Sequence, residues 1–114
     1  MTNCVFCGIV KGDIPSTKVY EDDHVVAFRD INPQAPVHVL IVPRAHIGGL
    51  DGLEGAADAA LAACLRAAHI IAKQEGIAGS GYRLAANCGA HACQTVGHLH
   101  FHLLGGRQMT GEMG

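Results

Sequence analysis

The segment VGHLHFHLLGG, residues 96–106, carries His98, His100 and His102 at every second position, with Leu99, Phe101 and Leu103 between them. An extended chain turns successive side chains to opposite faces and spaces same-face neighbours by ~7 Å, so the pattern predicts a strand with three imidazoles on one face. A solvated polar face is the plainest reading of such a row. One zinc ion held by all three does not fit, because its nitrogen ligands must lie at ~2.0–2.1 Å and neighbours ~7 Å apart reach one ion only through a sharp bend. A neutral imidazole, with a pKa of ~6.5, is both a nucleophile and a proton carrier near pH 7, so a row of them can attack, orient and donate. A second group is CVFC, whose Cys4 and Cys7 have the CxxC spacing of zinc sites and of redox dithiols. No thioredoxin-like βαβ pattern surrounds it, which favours a metal, and a closed tetrahedral site then needs two further ligands.

The elements that must position these groups are short. Residues 4–10 read as a helix or turn ended by GDIP, and STKVYEDDHVVAFRD as two strands joined at Asp22 and Asp23. INPQAP is a loop, and VHVLIVP has the continuous apolar character of a strand covered on both faces. From Leu53 to about Glu75 a helical period places Ala57, Leu61, Leu65, Ala68 and Ala72 on one face, with Gly76 as C-terminal cap. YRLAANC reads as a strand and GAHACQTV as a connection into the histidine strand. The fold class is therefore α+β: about five antiparallel strands, one long helix and a short N-terminal helix. With 114 residues and 49% hydrophobic content, one domain over residues 1–114 is expected.

Composition excludes some partners. A net charge of −2 with no run of Lys or Arg offers no footprint for polymeric nucleic acid, and no apolar window approaches the ~20 residues that cross a bilayer. Five cysteines and no export-type segment point to reduced thiols and a cytoplasmic protein.

Several motifs, in order, resemble one family: HLHFHLL itself, DIP, YEDD, AFRDINPQAPVHVLIVPRAHI, GYR, Asn87, QTV before the histidines and GGRQM after them. The chain is similar over nearly its whole length to the histidine triad superfamily, specifically its Hint branch of nucleoside phosphoramidases. The resemblance implies the histidine triad fold and a homodimer. It implies that a purine nucleotide binds as AMP, GMP or their phosphoramidates and adenylates, and that the phosphoramidate is cleaved through a nucleotidyl-histidine. His100 would be the nucleophile, its other ring nitrogen held by a main-chain carbonyl near His98, while His102 and Thr95 would support the phosphate. Val5, Phe6, Ile9, Ile14 and Ile31 would flank the base and Asp30 the ribose. Asn87, Gln94 and Thr95 would lie near the phosphate. The same relatives imply a structural zinc on Cys4, Cys7, His46 and His98, with no cofactor required for the chemistry. The alternatives are that the two thiols are small buried residues, or that His46 stays metal-free and serves as a proton relay for the leaving group. His24, His38, His69 and His91 read as surface or packing residues.

The chain departs from the family at Cys93, where relatives carry Gly before the Q[ST]V element, and in its tail, which lacks Trp. Dinucleoside polyphosphate hydrolysis, as in the Fhit branch, and a nucleotide-binding regulatory or adaptor role with incidental turnover are the rival functions.

Overall fold

The structure is a computed structural model that describes residues 4–53 and 58–114. Five strands form one sheet: β1 (Lys18–Glu21), β2 (Val25–Arg29), β3 (Val37–Pro43), β4 (Tyr82–Ala85) and β5 (Phe101–Gly105). Their order is β1-β2-β3-β5-β4, and every neighbouring pair is antiparallel. Helix α1 (Val5–Lys11) covers part of one face and helix α2 (Asp58–Gln74) covers the other.

The β1–β2 hairpin turns where the two aspartates predict it. The Asp22 carboxylate accepts the backbone N–H groups of His24 and Val25 at 2.8 and 2.9 Å, a side-chain mimic of a backbone turn. β3 occupies the whole of VHVLIVP and lies at the sheet centre. Its Val39 and Ile41 pack with Val25, Ala27 and α2, while Leu40 and Val42 pack with Val26, Phe28 and Phe6 of α1. Continuous apolarity there reflects burial on both sides.

Helix α2 buries Ala60, Cys64, Ala67, Ala68, Ile71 and Ala72 and ends at Gly76, which is left-handed with φ 74°. The predicted stripe holds at Ala68 and Ala72 and is corrected at its leucines. Leu65 is 54% exposed, Leu61 is half-buried, and Ala57 lies outside the described residues. The alanines and Cys64 let the helix approach the sheet closely. Burial pushes the Cys64 thiol up to about 12, which makes it a packing residue without reactivity.

The histidine strand is shorter than the alternation predicts. β5 begins at Phe101, paired with Ile41, and His98 and His100 precede it. β3 ends at Pro43, which has no N–H to extend a ladder, and Leu99 N–H bonds instead to the Ile47 carbonyl in the chain beyond β3. The face prediction survives this change: Leu103 and Phe101 pack toward α2, and the histidines lie on the side of α1.

Candidate functional site

A cavity of about 710 Å³ opens on the α1 side of the sheet. Val5, Phe6 and Ile9 of α1 line it together with Phe28, Leu40 and Ile31, and its polar wall contains Asp30, Thr95, His100 and His102. Ile31 is 93% exposed, so an apolar side chain stands at the mouth with no partner to cover it among the described residues. Val26, Phe28 and Asp30 share one parity on and after β2, which carries the carboxylate to the cavity side while Arg29 turns the other way to pair with Glu75 near the end of α2 at 2.9 Å.

His100 is 5% exposed and lies edge-on to Phe6, with ring centroids 5.1 Å apart. Its Nδ1 is 2.7 Å from the His98 carbonyl oxygen. A carbonyl only accepts, so Nδ1 carries the proton and, in the neutral ring, the Nε2 lone pair is left for chemistry.

His102 has a different support. The Gln34 N–H donates to His38 Nδ1 at 3.0 Å, so the neutral His38 ring carries its proton on Nε2. That proton points at His102 Nδ1, 2.9 Å away, which places the His102 proton on its own Nε2. One ring of the pair His100 and His102 therefore offers a lone pair and the next a donor, with centroids 5.1 Å apart. Burial pushes His38 below the usual imidazole range, and burial followed by the neighbouring His100 and His38 does the same for His102. Asp30 Oδ2 lies 3.4 Å from His38 Nε2 and opposes the shift, but at that distance it does not offset desolvation. His38 is thus corrected from a surface or packing residue to a buried member of the site. The available signal was a lone imidazole inside an otherwise apolar strand, in phase with Leu40 and Val42. His24, His69 and His91 are exposed.

The second cluster joins the N-terminus to the triad. Cys4, Cys7, His46 and His98 bring one ligand atom each within 4.8 Å of one another. Cys7 Sγ lies 3.2 Å from His46 Nδ1 and 3.6 Å from His98 Nδ1, and Cys4 Sγ lies 3.4 Å from His98 Nδ1. Tetrahedral bonds of ~2.3 Å to sulfur and ~2.0–2.1 Å to nitrogen put the two ligand atoms ~3.6 Å apart, so the set fits one zinc-sized cation. His98 Nε2 lies 2.9 Å from the Pro43 carbonyl and carries the proton, which leaves Nδ1 for the cluster. Asp30, His38 and His102 also converge, but the Gln34 N–H on His38 Nδ1 keeps Nε2 protonated and so unavailable to a metal.

Three residues expected around the nucleotide do not line the cavity. Ile14 folds back on α1, where a Cβ at Gly8 would come within 2.5 Å of its Cδ1. Gln94 bridges Gly89 N–H, Gly48 O and Val96 O at 2.9, 2.9 and 3.1 Å, bracing the loop that presents Thr95. Asn87 is half-buried beyond the end of β4. Cys93 has φ 64°, a left-handed conformation that favours glycine, and cysteine adopts it here. Cys93 is exposed and Cys88 half-buried.

A sequence profile described as the HIT domain matches residues 11–109. The chain belongs to the HIT domain family. It is 52% identical over 111 residues to a "14 kDa zinc-binding protein" of Zea mays, covering 92% of this chain and 83% of that one. It is 48% identical over 105 residues to the "Purine nucleoside phosphoramidase" of Escherichia coli K12, covering 92% of this chain and 88% of that protein. A solved HIT family hydrolase from Clostridium thermocellum superposes with a TM-score of 0.94 at 50% identity, covering 99% of this chain and 98% of that one. The HIT fold, with its five-stranded antiparallel sheet and two helices, is therefore the fold of this chain. Among the described residues no helix is long and apolar enough to cross a membrane.

The depressed His38 value fixes a sign for stability against pH. Below the unfolded pKa of ~6.5 the unfolded chain takes up a proton that the native ring refuses, so stability present above that pH is lost as pH falls toward the native value. Denaturation midpoints measured between about pH 7.5 and 5.5 should fall for the wild type and fall less for His38→Gln. Equal slopes for the two proteins would contradict the assignment.

Proposed function

We propose that this protein hydrolyses purine nucleoside 5′-phosphoramidates through a covalent nucleotidyl-histidine on His100, releasing the nucleoside monophosphate. The observation that carries the reading is the proton arrangement at His100: Nδ1–H is committed to the His98 carbonyl and Nε2 is left as a lone pair, in a ring that borders the cavity. The name of the Escherichia coli relative supports a P–N bond as the one broken.

In the first half-reaction Nε2 attacks the α-phosphorus. A P–N bond to the ring forms as the P–N bond to the amine breaks, and His100 becomes an imidazolium whose positive charge lies against the His98 carbonyl. His102, with its proton on Nε2, hydrogen-bonds the phosphate, and the departing amine takes its proton from solvent at the cavity mouth. In the second half-reaction water attacks the same phosphorus and gives up a proton to solvent, the ring–phosphorus bond breaks, and neutral His100 returns. Thr95 supports the phosphate, Asp30 accepts from ribose hydroxyls, and Val5, Phe6, Ile9 and Ile31 flank the base in the apolar part of the cavity. Gln94 and Ile14 act from behind the lining, on the Thr95 loop and on α1, and Asn87 acts from the end of β4.

The cluster of Cys4, Cys7, His46 and His98 holds zinc in the same reading, supported by the ligand separations and by the name of the Zea mays relative. When bound, the ion supplies a crosslink and takes no part in the chemistry. The residues do the positioning: Cys4 accepts the Cys7 N–H at 3.4 Å as α1 begins, and His98 ties that helix to Pro43. A cytoplasmic homodimer completes the proposal. Five unpaired thiols, the edge position of β4 and the exposed Leu65 on α2 support it.

His100→Ala should lower kcat on an adenosine phosphoramidate by roughly 10⁴-fold or more while AMP binding, read by calorimetry, stays within a few-fold of wild type. Turnover surviving at near wild-type rate sinks the mechanism, and binding without turnover in the wild type favours a regulatory binding protein. Elemental analysis should find one zinc per chain in the purified wild type and far less in Cys7→Ser. Equal zinc in both places the ion elsewhere.

A further inference from the structure

We propose that Arg107, outside the cavity lining, is a positioning residue for the reaction. It holds Gln34 by its carbonyl, fixing the residue whose N–H sets the tautomer of His38 and, through it, the donor state of His102. This inference rests on the functional reading above for its link to turnover.

The chain of contacts is continuous. Arg107 Nε and Nη2 donate to the Gln34 carbonyl at 3.3 and 3.0 Å, and Nη1 to the Gln108 carbonyl at 3.3 Å. Gln34 N–H donates to His38 Nδ1 at 3.0 Å, and His38 Nε2 lies 2.9 Å from His102 Nδ1 at the cavity wall. Reversing the first of these protonations reverses the last: His38 protonated on Nδ1 would ask His102 for a proton, leaving a lone pair on His102 Nε2 where the phosphate needs a donor.

Loop 30–36 cannot hold Gln34 by a ladder of its own. Pro33 and Pro36 flank Gln34 and Ala35, and proline has no N–H. The loop is fixed by Asp30, whose Oδ1 accepts the Asn32 N–H at 2.8 Å, and from outside by the turn after β5. That turn passes close to the loop: Gly106 has φ 93°, and a Cβ there would lie 3.0 Å from Pro36 Cβ. Arg107 follows immediately and lays two donors of its fork on one carbonyl. Among the described residues no carboxylate pairs with Arg107, so its charge is directed to backbone oxygens. Arg107 and Gln34 are exposed, whereas His38 at the far end of the chain of bonds is 5% exposed. The guanidinium therefore governs a buried ring without being part of the core. Lysine, a point charge without the planar fork, reproduces this only in part.

The test combines imidazole ¹⁵N spectra with kinetics. In the wild type, His38 should show a bare Nδ1 and a protonated Nε2. In Arg107→Met the two nitrogens should shift toward mixed protonation, and kcat on an adenosine phosphoramidate should fall by about tenfold or more with KM and AMP affinity within about twofold. Arg107→Lys should lie between. If Arg107→Met does not fold, the wild-type spectrum and the lysine variant carry the test. A wild-type His38 protonated on Nδ1, an unchanged tautomer in the variants, or a changed tautomer with unchanged kcat each overturns the proposal. Failure of the wild type to turn over any phosphoramidate defeats the functional reading instead, and the spectra still decide whether Arg107 sets His38.

Discussion

The bond from His100 Nδ1 to the His98 carbonyl is the constraint on which the site depends. It is an acceptor two residues back in the same chain, 2.7 Å away, and that oxygen must not be consumed by a strand ladder. The early end of β5 meets this requirement. If regular pairing with β3 continued past Ile41 and Phe101, the backbone around His98 would be drawn into the ladder, but Pro43 ends β3 and Leu99 pairs with Ile47 instead. A departure from ideal strand geometry thus creates the acceptor that orients His100, the nucleophile in the proposed reaction.

Three polar arrangements converge there from different parts of the chain. His98 is wholly buried, joined through Nε2 to Pro43 and through Nδ1 to the two thiols of the N-terminal helix, so its carbonyl is held from both ends. His102 takes its proton state from His38 and the Gln34 peptide. Asp30, which braces the same loop, faces the cavity. Each imidazole therefore has one nitrogen committed to a fixed partner, a division that leaves a lone pair on His100 and a donor on His102 although the side chains are chemically identical. Among the described residues no buried side-chain polar atom lacks a partner, so the site is preorganised without unmet hydrogen bonds.

Local chemistry made much of this legible in the sequence. The aspartate turn at Asp22, the doubly buried VHVLIVP, the glycine stop at Gly76 and the alternation of histidines with Leu and Phe each follow from the residue types themselves. The CxxC spacing signalled a cation, and its partners His46 and His98 came from family resemblance rather than spacing. What stayed illegible depended on distant contacts. The window of α2 is so rich in alanine that volume does not distinguish Ala60 and Ala67 from their neighbours, and Leu61 and Leu65 drew the predicted stripe toward them while Ala68 and Ala72 were placed correctly. His38 looked bland because its meaning lies in Gln34, Asp30 and His102, which only the folded sheet brings to it. Ile14 and Gln94 carry their weight in packing and loop bonds, and a sequence motif does not separate those from contact with a ligand.

The most direct measurement is of where the phosphorus goes. Protein quenched in base during turnover of an adenosine phosphoramidate, digested and analysed by mass spectrometry with phosphorus–nitrogen coupling on ¹⁵N-labelled histidine, should carry a nucleotidyl group on Nε2 of His100. Attachment to Nδ1, to another residue, or turnover with no adduct under conditions that preserve phosphohistidine would contradict the central claim that the His98 carbonyl selects Nε2 as the nucleophile.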